Sequence, residues 1–485
     1  MSIDRDSEYI SEAAKTSANA AFTLFLGDFT YNLILALGSI LIARILGSEG
    51  YGLFSLALIP PQTLVLLTSL GIDIGVARYI QRYSDEKQYG LIIKIVKISI
   101  LLRTVIGIVG WAVCYIYAEN LSGILINRPG VGDLVRVTAI LVLLQLIYNL
   151  ILNIFVGFNR FQATSLTKTM YSIFKTITTI ALLILGFGVI GALIGNIVGY
   201  VIALLLAFTL IYRSVREINQ YYGAGNGIDS LSVLSTLLKY SLPLYVGSLA
   251  GIALSIYQNV LLSYTLSEEY IGGYRAMSNF LVLINVVTAP ISLALLPFFT
   301  HFNNNDRERL SKALNMANRY IAMIVIPMTI VSMVFSRELM YILYGSGYLF
   351  ISVYLPLLFA PNLLVGFGSI AIPAMFNGIG VTRYNMYLSV VNLIVFTSAS
   401  YILTYVLNYG LWGFLTSMLL SSIAATILAI YFSRRFAENP IEFKSVGRLY
   451  AAAFIAAIPI LPVFYVSIPR FITVIRVIVG GIGYL

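Results

Sequence analysis

The sequence predicts an all-α integral membrane protein of about 14 transmembrane helices: two six-helix lobes related by an internal repeat, plus two C-terminal helices. Three observations carry that expectation. The 485-residue chain is 59% hydrophobic and only 10% charged, with a mean hydropathy of +0.91, whereas soluble domains carry roughly 25% charged residues. Apolar runs near or above the ~20 residues that cross a bilayer recur from about residue 20 to the C-terminus. Short patterns also recur at an offset of about 222 residues: Gly157-x2-Arg160-Phe161 as Gly380-x2-Arg383-Tyr384, Gly188-x2-Gly191 as Gly410-x2-Gly413, and Glu49-x2-Gly52 as Glu269-x2-Gly272. Duplicated halves in a very apolar chain are a signature of transporters, whose substrate site is expected between the halves.

The elements follow in order. The N-terminal stretch is polar and no small-residue cleavage site follows the first apolar run, so the first span is expected to stay. Spans centre near residues 31, 64, 105, 145, 176 and 200, which make the N-terminal lobe (1–212). A cytoplasmic linker is expected over 213–239, around Tyr221-Tyr222-Gly223-Ala224-Gly225-Asn226-Gly227. The C-terminal lobe (240–433) holds spans near 252, 286, 324, 364, 394 and 421, and residues 434–485 add spans near 457 and 477, the last short and containing Arg476.

Charge placement orients the spans. With both termini cytoplasmic, only Arg44, Arg128, Arg275, Arg337 and Arg470 of the 30 Lys and Arg fall outside. Arg103, Arg136, Lys175 and Arg476 lie within spans, and all the others face the cytoplasm, as the positive-inside rule requires. The net charge of +10 therefore orients helices and meets anionic headgroups, and does not point to nucleic acid. An even number of spans per lobe makes the halves insert alike, about an axis along the membrane normal.

Composition also removes functions. Cys114 is the only cysteine and His301, in an Asn-rich stretch, the only histidine, so disulfides, thiolate clusters and histidine catalysis lose their support. No phosphate-binding G-x-x-x-x-G-K-[ST] loop is present. No cofactor or metal is expected.

The stretch Ala43–Phe54, ARILGSEGYGLF, resembles the end of the first span in polysaccharide flippases of the O-antigen type, within the multidrug/oligosaccharidyl-lipid/polysaccharide exporter superfamily. Gly71-Ile72-Asp73-Ile74-Gly75 followed by Arg78-Tyr79, Gly157–Phe161 after the fourth span, and Leu343-Tyr344-Gly345 are similar to the same family. The resemblance covers essentially the whole chain. It implies two lobes in an inverted V working by alternating access, and a lipid-linked oligosaccharide, on a polyprenyl or dolichyl phosphate or pyrophosphate, carried to the outer leaflet of the cell membrane. The turn also has a local reading: Gly47, Gly50 and Gly52 permit a tight reversal, and Ser48 and Glu49 suit the start of the next helix.

Such a substrate needs cations for phosphate and hydrogen-bonding groups for sugar, while its tail can stay in lipid. Ionisable groups inside spans are costly, which makes them the default candidates. Arg103 in the third span and Lys175 in the fifth lie within reach of a phosphate from the inner leaflet, with snorkelling as the competing reading. Arg136 and Arg275 lie toward the outer ends of the fourth and eighth spans. Gln145, Asn149 and Asn153 form a carboxamide stripe on one helix face, suited equally to sugar hydroxyls and to helix–helix bonds; Gln258, Asn259 and Asn285 are its weaker counterpart. Asp28, inside the first span, is expected to pair with Arg103 or Lys175 or to bind a coupling proton or Na⁺, and Asp73 to pair with Arg78. Prolines 243, 290, 297, 327, 356, 361 and 373 in the second lobe, and Pro60 and Pro61 in the second span, either bend spans or sit in them as static features.

The leading expectation is a monomeric flippase, not an enzyme. A drug or ion antiporter of the same superfamily is the near rival, and a membrane-embedded saccharide polymerase or ligase the distant one; the latter needs large polar loops and several catalytic groups, which this chain lacks.

Overall fold

A computed structural model describes residues 2–222, 230–282, 284, 288, 295, 299 and 307–457. The last span, most of the eighth, Asn285, His301, Pro290, Pro297, Arg470, Arg476 and residues 223–229 of the expected linker lie outside the described residues. All other expected spans centre on described helices. Among the described residues, seven helices are long and apolar enough to cross a bilayer, eight if one bent pair counts as a single span. The helices of 28 and 24 residues at the third and fifth spans also exceed the ~20 residues required. This is a multi-pass membrane protein.

The chain divides into two compact units, Met1–Leu46 with Leu53–Leu249, and Gly47–Gly52 with Ala250–Leu485. The first contains α1 (Ser2–Ala57), α2 (Ile59–Leu67), α3 (Ile72–Asp85), α4 (Tyr89–Ile116), α5 (Ala118–Ile126), α6 (Gly132–Thr138), α7 (Leu141–Gly157), α8 (Phe161–Ile184), α9 (Gly188–Tyr222) and the start of α10 (Ser230–Thr265). Helix therefore occupies much of the expected linker, from both sides. The core forms where apolar residues recur at helical spacing: Ile72, Val76 and Ile80 on α3 meet Ile92 and Val96 on α4 and Ile151 and Phe155 on α7. The outside is equally apolar. Leu26, Phe29, Leu33, Leu37, Leu41 and Ile45 form an exposed stripe along α1, a surface that hydrocarbon tolerates and water does not.

Besides the second span, described below, the fourth and tenth expected spans are not straight helices. In the fourth, Pro129–Thr138 and Leu141–Gly157 meet at 44°, so Arg136 lies on a separate short limb and not in the outer part of a continuous span. In the tenth, a 3-10 segment (Ser346–Tyr354), a short helix (Leu355–Phe359) and a second 3-10 segment (Ala360–Phe367) follow one another. Pro356 and Pro361 open the last two pieces, where a missing N–H costs least. Pro243 and Pro327 instead lie inside continuous helices.

The second unit holds the rest of α10, then α11 (Glu268–Ser278), α12 (Arg307–Val334), α13 (Ser336–Tyr344), the tenth span with its helix α14 (Leu355–Phe359), α15 (Ala371–Gly378), α16 (Arg383–Ser400), α17 (Gly410–Ser433) and α18 (Phe443–Ala457). It also holds the turn after the first span, which the chain enters at Gly47, a break in α1 with φ 71° and ψ 175°. Here the repeat becomes visible as geometry. A Cβ placed at Gly52 would fall on the carbonyl oxygen of Glu268, and one at Gly272 on that of Ser48. The four residues form two pairs at one sequence offset, so each copy of the turn presses its glycine onto the backbone of the other.

A second landmark repeats equally well. Gly188 and Gly410 both take positive φ, 55° and 52°, at the start of α9 and α17. Each is preceded two residues earlier by another positive-φ residue, Gly186 and Asn408. The third landmark does not repeat. After α7 the left-handed position is Asn159 (φ 55°), not Gly157, whereas after α15 it is Gly380 (φ 79°). Gly157 is helical and buried, and a side chain there would meet Ala77 and Ile80 of α3.

Gly52→Ala and Gly272→Ala should each lower stability by about 1–3 kcal/mol, because the new methyl meets backbone that cannot rotate away. Gly247→Ala on exposed α10, where a Cβ meets nothing within 4 Å, should be neutral or slightly stabilising. Thermal unfolding in detergent compares the three; equal effects would contradict the crossing.

Candidate functional site

The charged interior of the first unit begins with Arg103 on α4, which is fully buried. Its Nε and Nη2 donate to Asp73 Oδ1 at 3.0 and 2.7 Å, Nη1 to the Thr68 carbonyl at 2.9 Å, and Nη2 to the Ser69 carbonyl at 2.6 Å. Thr68 closes α2 and Asp73 lies in the first turn of α3, with Leu70 and Gly71 at positive φ between them. The second span is thus broken, and Arg103 supplies the donors that the freed carbonyls at the end of α2 require. This corrects the expected pairing of Asp73 with Arg78, whose guanidinium lies 4.2 Å from the ring centroid of Tyr240. It also engages the Arg103 side chain that was expected to face a phosphate.

Asp28 pairs with Lys168, Nζ to Oδ1 2.7 Å, and not with Arg103 or Lys175. The reason lies in the register of two parallel helices. A Cβ at Gly27 would meet Ser165 and one at Gly38 would meet Thr176, so α1 and α8 advance together and the level of Asp28 is that of Lys168. Lys175 lies two turns further along. Small residues at both contacts allow this close approach. Asp28 is 47% and Lys168 25% exposed, so the pair is accessible where Arg103 is not.

Lys175 sits beside a cluster of tyrosines. Its Nζ is 5.6 Å from the centroid of Tyr171, and the Tyr171 ring is 6.2, 5.7 and 4.3 Å from those of Tyr31, Tyr148 and Tyr200. Tyr171 donates to Asn196 Oδ1 at 2.8 Å, and Gln145 lies near Tyr200 of α9. The carboxamide stripe therefore starts in helix–helix packing: Gln145 is buried, Asn149 is half-buried, and Asn153 Nδ2 turns back onto the Asn149 carbonyl at 3.0 Å. α9 closes on this region through Gly199, where a Cβ would meet the stem of Lys175.

The remaining candidates are separate. Arg136 forms ion pairs with Asp133 (2.5 Å) and Glu119 (2.7 Å) at an exposed helix end. In the second unit Arg275 Nη2 donates to Asn259 Oδ1 at 2.5 Å, Asn259 Nδ2 donates to the Ser255 carbonyl at 2.9 Å, and Gln258 is the half-buried neighbour on α10. The structure thus places Asp28, Gln145, Lys175, Arg103 and Arg136 in the first unit, where carboxylates engage the two arginines, and the Arg275–Asn259 pair in the second. Sequence reasoning missed Lys168 and the tyrosines. The signal was present in the i, i+3, i+7 series Lys168, Tyr171, Lys175, which lies on one face of α8.

Architecture and site define an internally repeated, multi-pass membrane protein with ionised groups inside its first half. More closely, the chain belongs to the family described as polysaccharide biosynthesis protein, whose pattern matches residues 17–303. An uncharacterized membrane protein of Methanocaldococcus jannaschii is 22% identical over 346 residues, 68% of this chain and 67% of that protein. The succinoglycan biosynthesis transport protein ExoT of Rhizobium meliloti is 22% identical over 307 residues, 63% of this chain and 58% of that protein. Among solved structures, the lipid II flippase MurJ in an inward closed conformation superposes with a TM-score of 0.74 at 16% identity, covering 95% of this chain and 96% of that one. An inward-facing multidrug resistance MATE transporter gives a TM-score of 0.66 at 16% identity over 87% and 96%.

Removing the Arg103 side chain should cost about 3–5 kcal/mol, since it leaves Asp73 and two carbonyls unpaired in a buried site. Arg103→Leu combined with Asp73→Leu should recover part of that loss. Chemical or thermal unfolding of the single and double variants measures the difference, and an Arg103→Ala protein of unchanged stability would contradict a structural role for Arg103 at the break between α2 and α3.

Proposed function

We propose that this protein is a flippase that moves a lipid-linked oligosaccharide from the cytoplasmic to the outer leaflet by alternating access, as a monomer with both termini in the cytoplasm. The observation that carries the reading is the family match over residues 17–303, joined to a fold shared with a lipid II flippase over 95% of the chain. The succinoglycan transport relative supports a saccharide cargo. The succinoglycan relative and the two solved structures carry transport or flippase names, which supports a role in transport and not in making or breaking glycosidic bonds.

In this reading the accessible Asp28–Lys168 pair is the part of the first unit that responds to cargo or to a coupling proton or Na⁺. Protonation of Asp28 would release Lys168 toward an anionic headgroup, and neutralisation of Lys168 by phosphate would free the carboxylate. Lys175 and the carboxamides Gln145 and Asn149 lie on the same unit to meet phosphate and sugar; Arg275, Gln258, Asn259 and Asn153 are contributors of lower weight. Arg103 and Arg136 act by holding helices, because their guanidinium groups are engaged by carboxylates. A membrane potential, inside negative, assists outward movement of an anionic lipid by ~2.3 kcal/mol per charge per 100 mV. The fold shared with a multidrug transporter favours one other reading, an ion-coupled exporter of small cations, to which the cationic side chains of the first unit are less suited.

Reconstituted into proteoliposomes, the wild type should move a fluorescent polyprenyl-pyrophosphate saccharide across the bilayer. Asp28→Asn and Lys168→Met should each slow it tenfold or more, while stability changes by only ~0–1 kcal/mol for a half-exposed pair. Movement of a cationic dye in place of the saccharide would favour the exporter, and unimpaired variants would remove the pair from the mechanism.

A further inference from the structure

The second copy of the repeated turn motif, Gly380-x2-Arg383-Tyr384, has no part in this mechanism. It opens α16, and the end of α17 returns to it. The Tyr384 ring lies 4.9 Å from that of Phe432, 5.5 Å from that of Phe436 and 5.3 Å from that of Phe376. Two arginines meet on this aromatic floor. Arg383 Cζ is 5.2 Å from the Tyr384 centroid, and Arg435 Nη1 donates to the Tyr384 hydroxyl at 3.4 Å. Arg435 Cζ is also 5.8 Å from the Phe432 centroid. The turn that closes α17 fixes Arg435, whose N–H donates to the Phe432 carbonyl at 3.1 Å.

Electrostatics leave this pair in want of an anion. Arg383 is the first residue of an 18-residue helix whose first turn carries no acid, and a cation at a helix N-terminus opposes the helix dipole. Arg307 brings a third guanidinium, its Nη2 donating to the Arg434 carbonyl at 2.6 Å. Among the described residues no carboxylate forms an ion pair with Arg383 or Arg435. Glu308 is held by Lys312 at 2.7 Å, and Glu438 stands exposed three residues beyond Arg435. The surroundings indicate which anion fits. α16 and α17 are each long and apolar enough to span a bilayer. Met386, Tyr387, Ile427 and Tyr431 are exposed along the adjoining turns, a surface suited to acyl chains. Sugar has little to bind here, because the Asn385 amide already donates to the Pro373 carbonyl at 3.0 Å and to Asn377 Oδ1 at 2.8 Å. This end of the helices is the one expected to face the cytoplasm, where anionic lipids make the membrane surface negative.

We propose that Arg383 and Arg435 form a binding site for the phosphate headgroup of a resident anionic phospholipid, seated against Tyr384 and Phe432. Two guanidinium forks suit a phosphodiester, each able to donate two parallel bonds. The bound phosphate cancels the repulsion between the arginines, so occupancy ties the start of α16 to the end of α17. The site holds membrane lipid at the surface of the second unit and leaves cargo recognition to the first. It goes beyond the flippase reading and does not depend on it.

The test uses the full chain in nanodiscs of phosphatidylcholine, with or without phosphatidylglycerol. Native mass spectrometry reads the retained lipid, and thermal unfolding reads stability. Wild type should retain phosphatidylglycerol roughly tenfold better than Arg383→Gln or Arg435→Gln, as expected for loss of one charge-assisted contact. Arg435→Lys, which keeps the charge without the fork, should recover part of the retention. Lys312→Gln, which removes another exposed cation, should retain as much as wild type. Phosphatidylglycerol should raise the unfolding temperature of wild type and not that of the two Gln variants. In phosphatidylcholine alone, all these proteins should unfold within about 2 °C of one another. Equal retention by wild type and both Gln variants, or an equal loss in Lys312→Gln, overturns the site. A Gln variant already destabilised in phosphatidylcholine assigns its arginine to structure and also overturns it. Polyprenyl phosphate retained in preference to phosphatidylglycerol, or the same stabilisation by millimolar inorganic phosphate, overturns the assignment to resident phospholipid.

Discussion

Hydrocarbon offers no hydrogen bonds, so every polar group that a span carries into it must find a partner inside the protein. That constraint organises the rest of this structure. It makes the chain helical, and it decides what the intramembrane charges do. Arg103 is held by Asp73 and two carbonyls, Asp28 by Lys168, Arg275 by Asn259, and Asn153 by its own helix. Burying a charge is costly enough that each was a fair candidate for function. The same cost drives each toward an internal partner, and the partner then determines whether anything is left for a substrate. Arg103 has spent its donors on a broken span. Asp28 and Lys168 have spent one contact each and keep part of their surface.

The order of the described spans could be read from hydropathy because that signal is local, averaged over about twenty residues. Two of the three repeat landmarks were readable for the same reason. Gly188 and Gly410 answer a backbone requirement for positive φ, and Gly52 and Gly272 a requirement for room; such demands act on the glycine itself and survive duplication. The third landmark misled, because Asn159 also tolerates the left-handed conformation and moved the turn off Gly157. Ion-pair partners were not readable. Pairing Asp28 with Lys168 depends on α1 and α8 running parallel in one register, and a shift of two turns would have chosen Lys175. Sequence distance carries no trace of that register.

The halves repeat in architecture and diverge in chemistry. The accessible carboxylate–ammonium pair, the four clustered tyrosines and Lys175 all belong to the first unit, while the second contributes an arginine held by an amide. Divergence reaches the turns themselves: the stretch that places Arg160 on a cavity in one copy places Arg383 beside its neighbouring tyrosine in the other. In the proposed mechanism, duplication supplies two bodies able to rock, and specificity for an anionic cargo needs only one of them to be charged.

The claim that this protein moves a glycolipid, and does not build one, is tested most directly in cells from which it has been depleted. The measurement is the fraction of lipid-linked saccharide open to a membrane-impermeant glycan-modifying reagent applied from outside, alongside the total pool. The account predicts that the outside fraction falls while the total pool is maintained or rises, and that re-expression restores both. A shrinking pool with an unchanged outside fraction would contradict it and place the protein in synthesis.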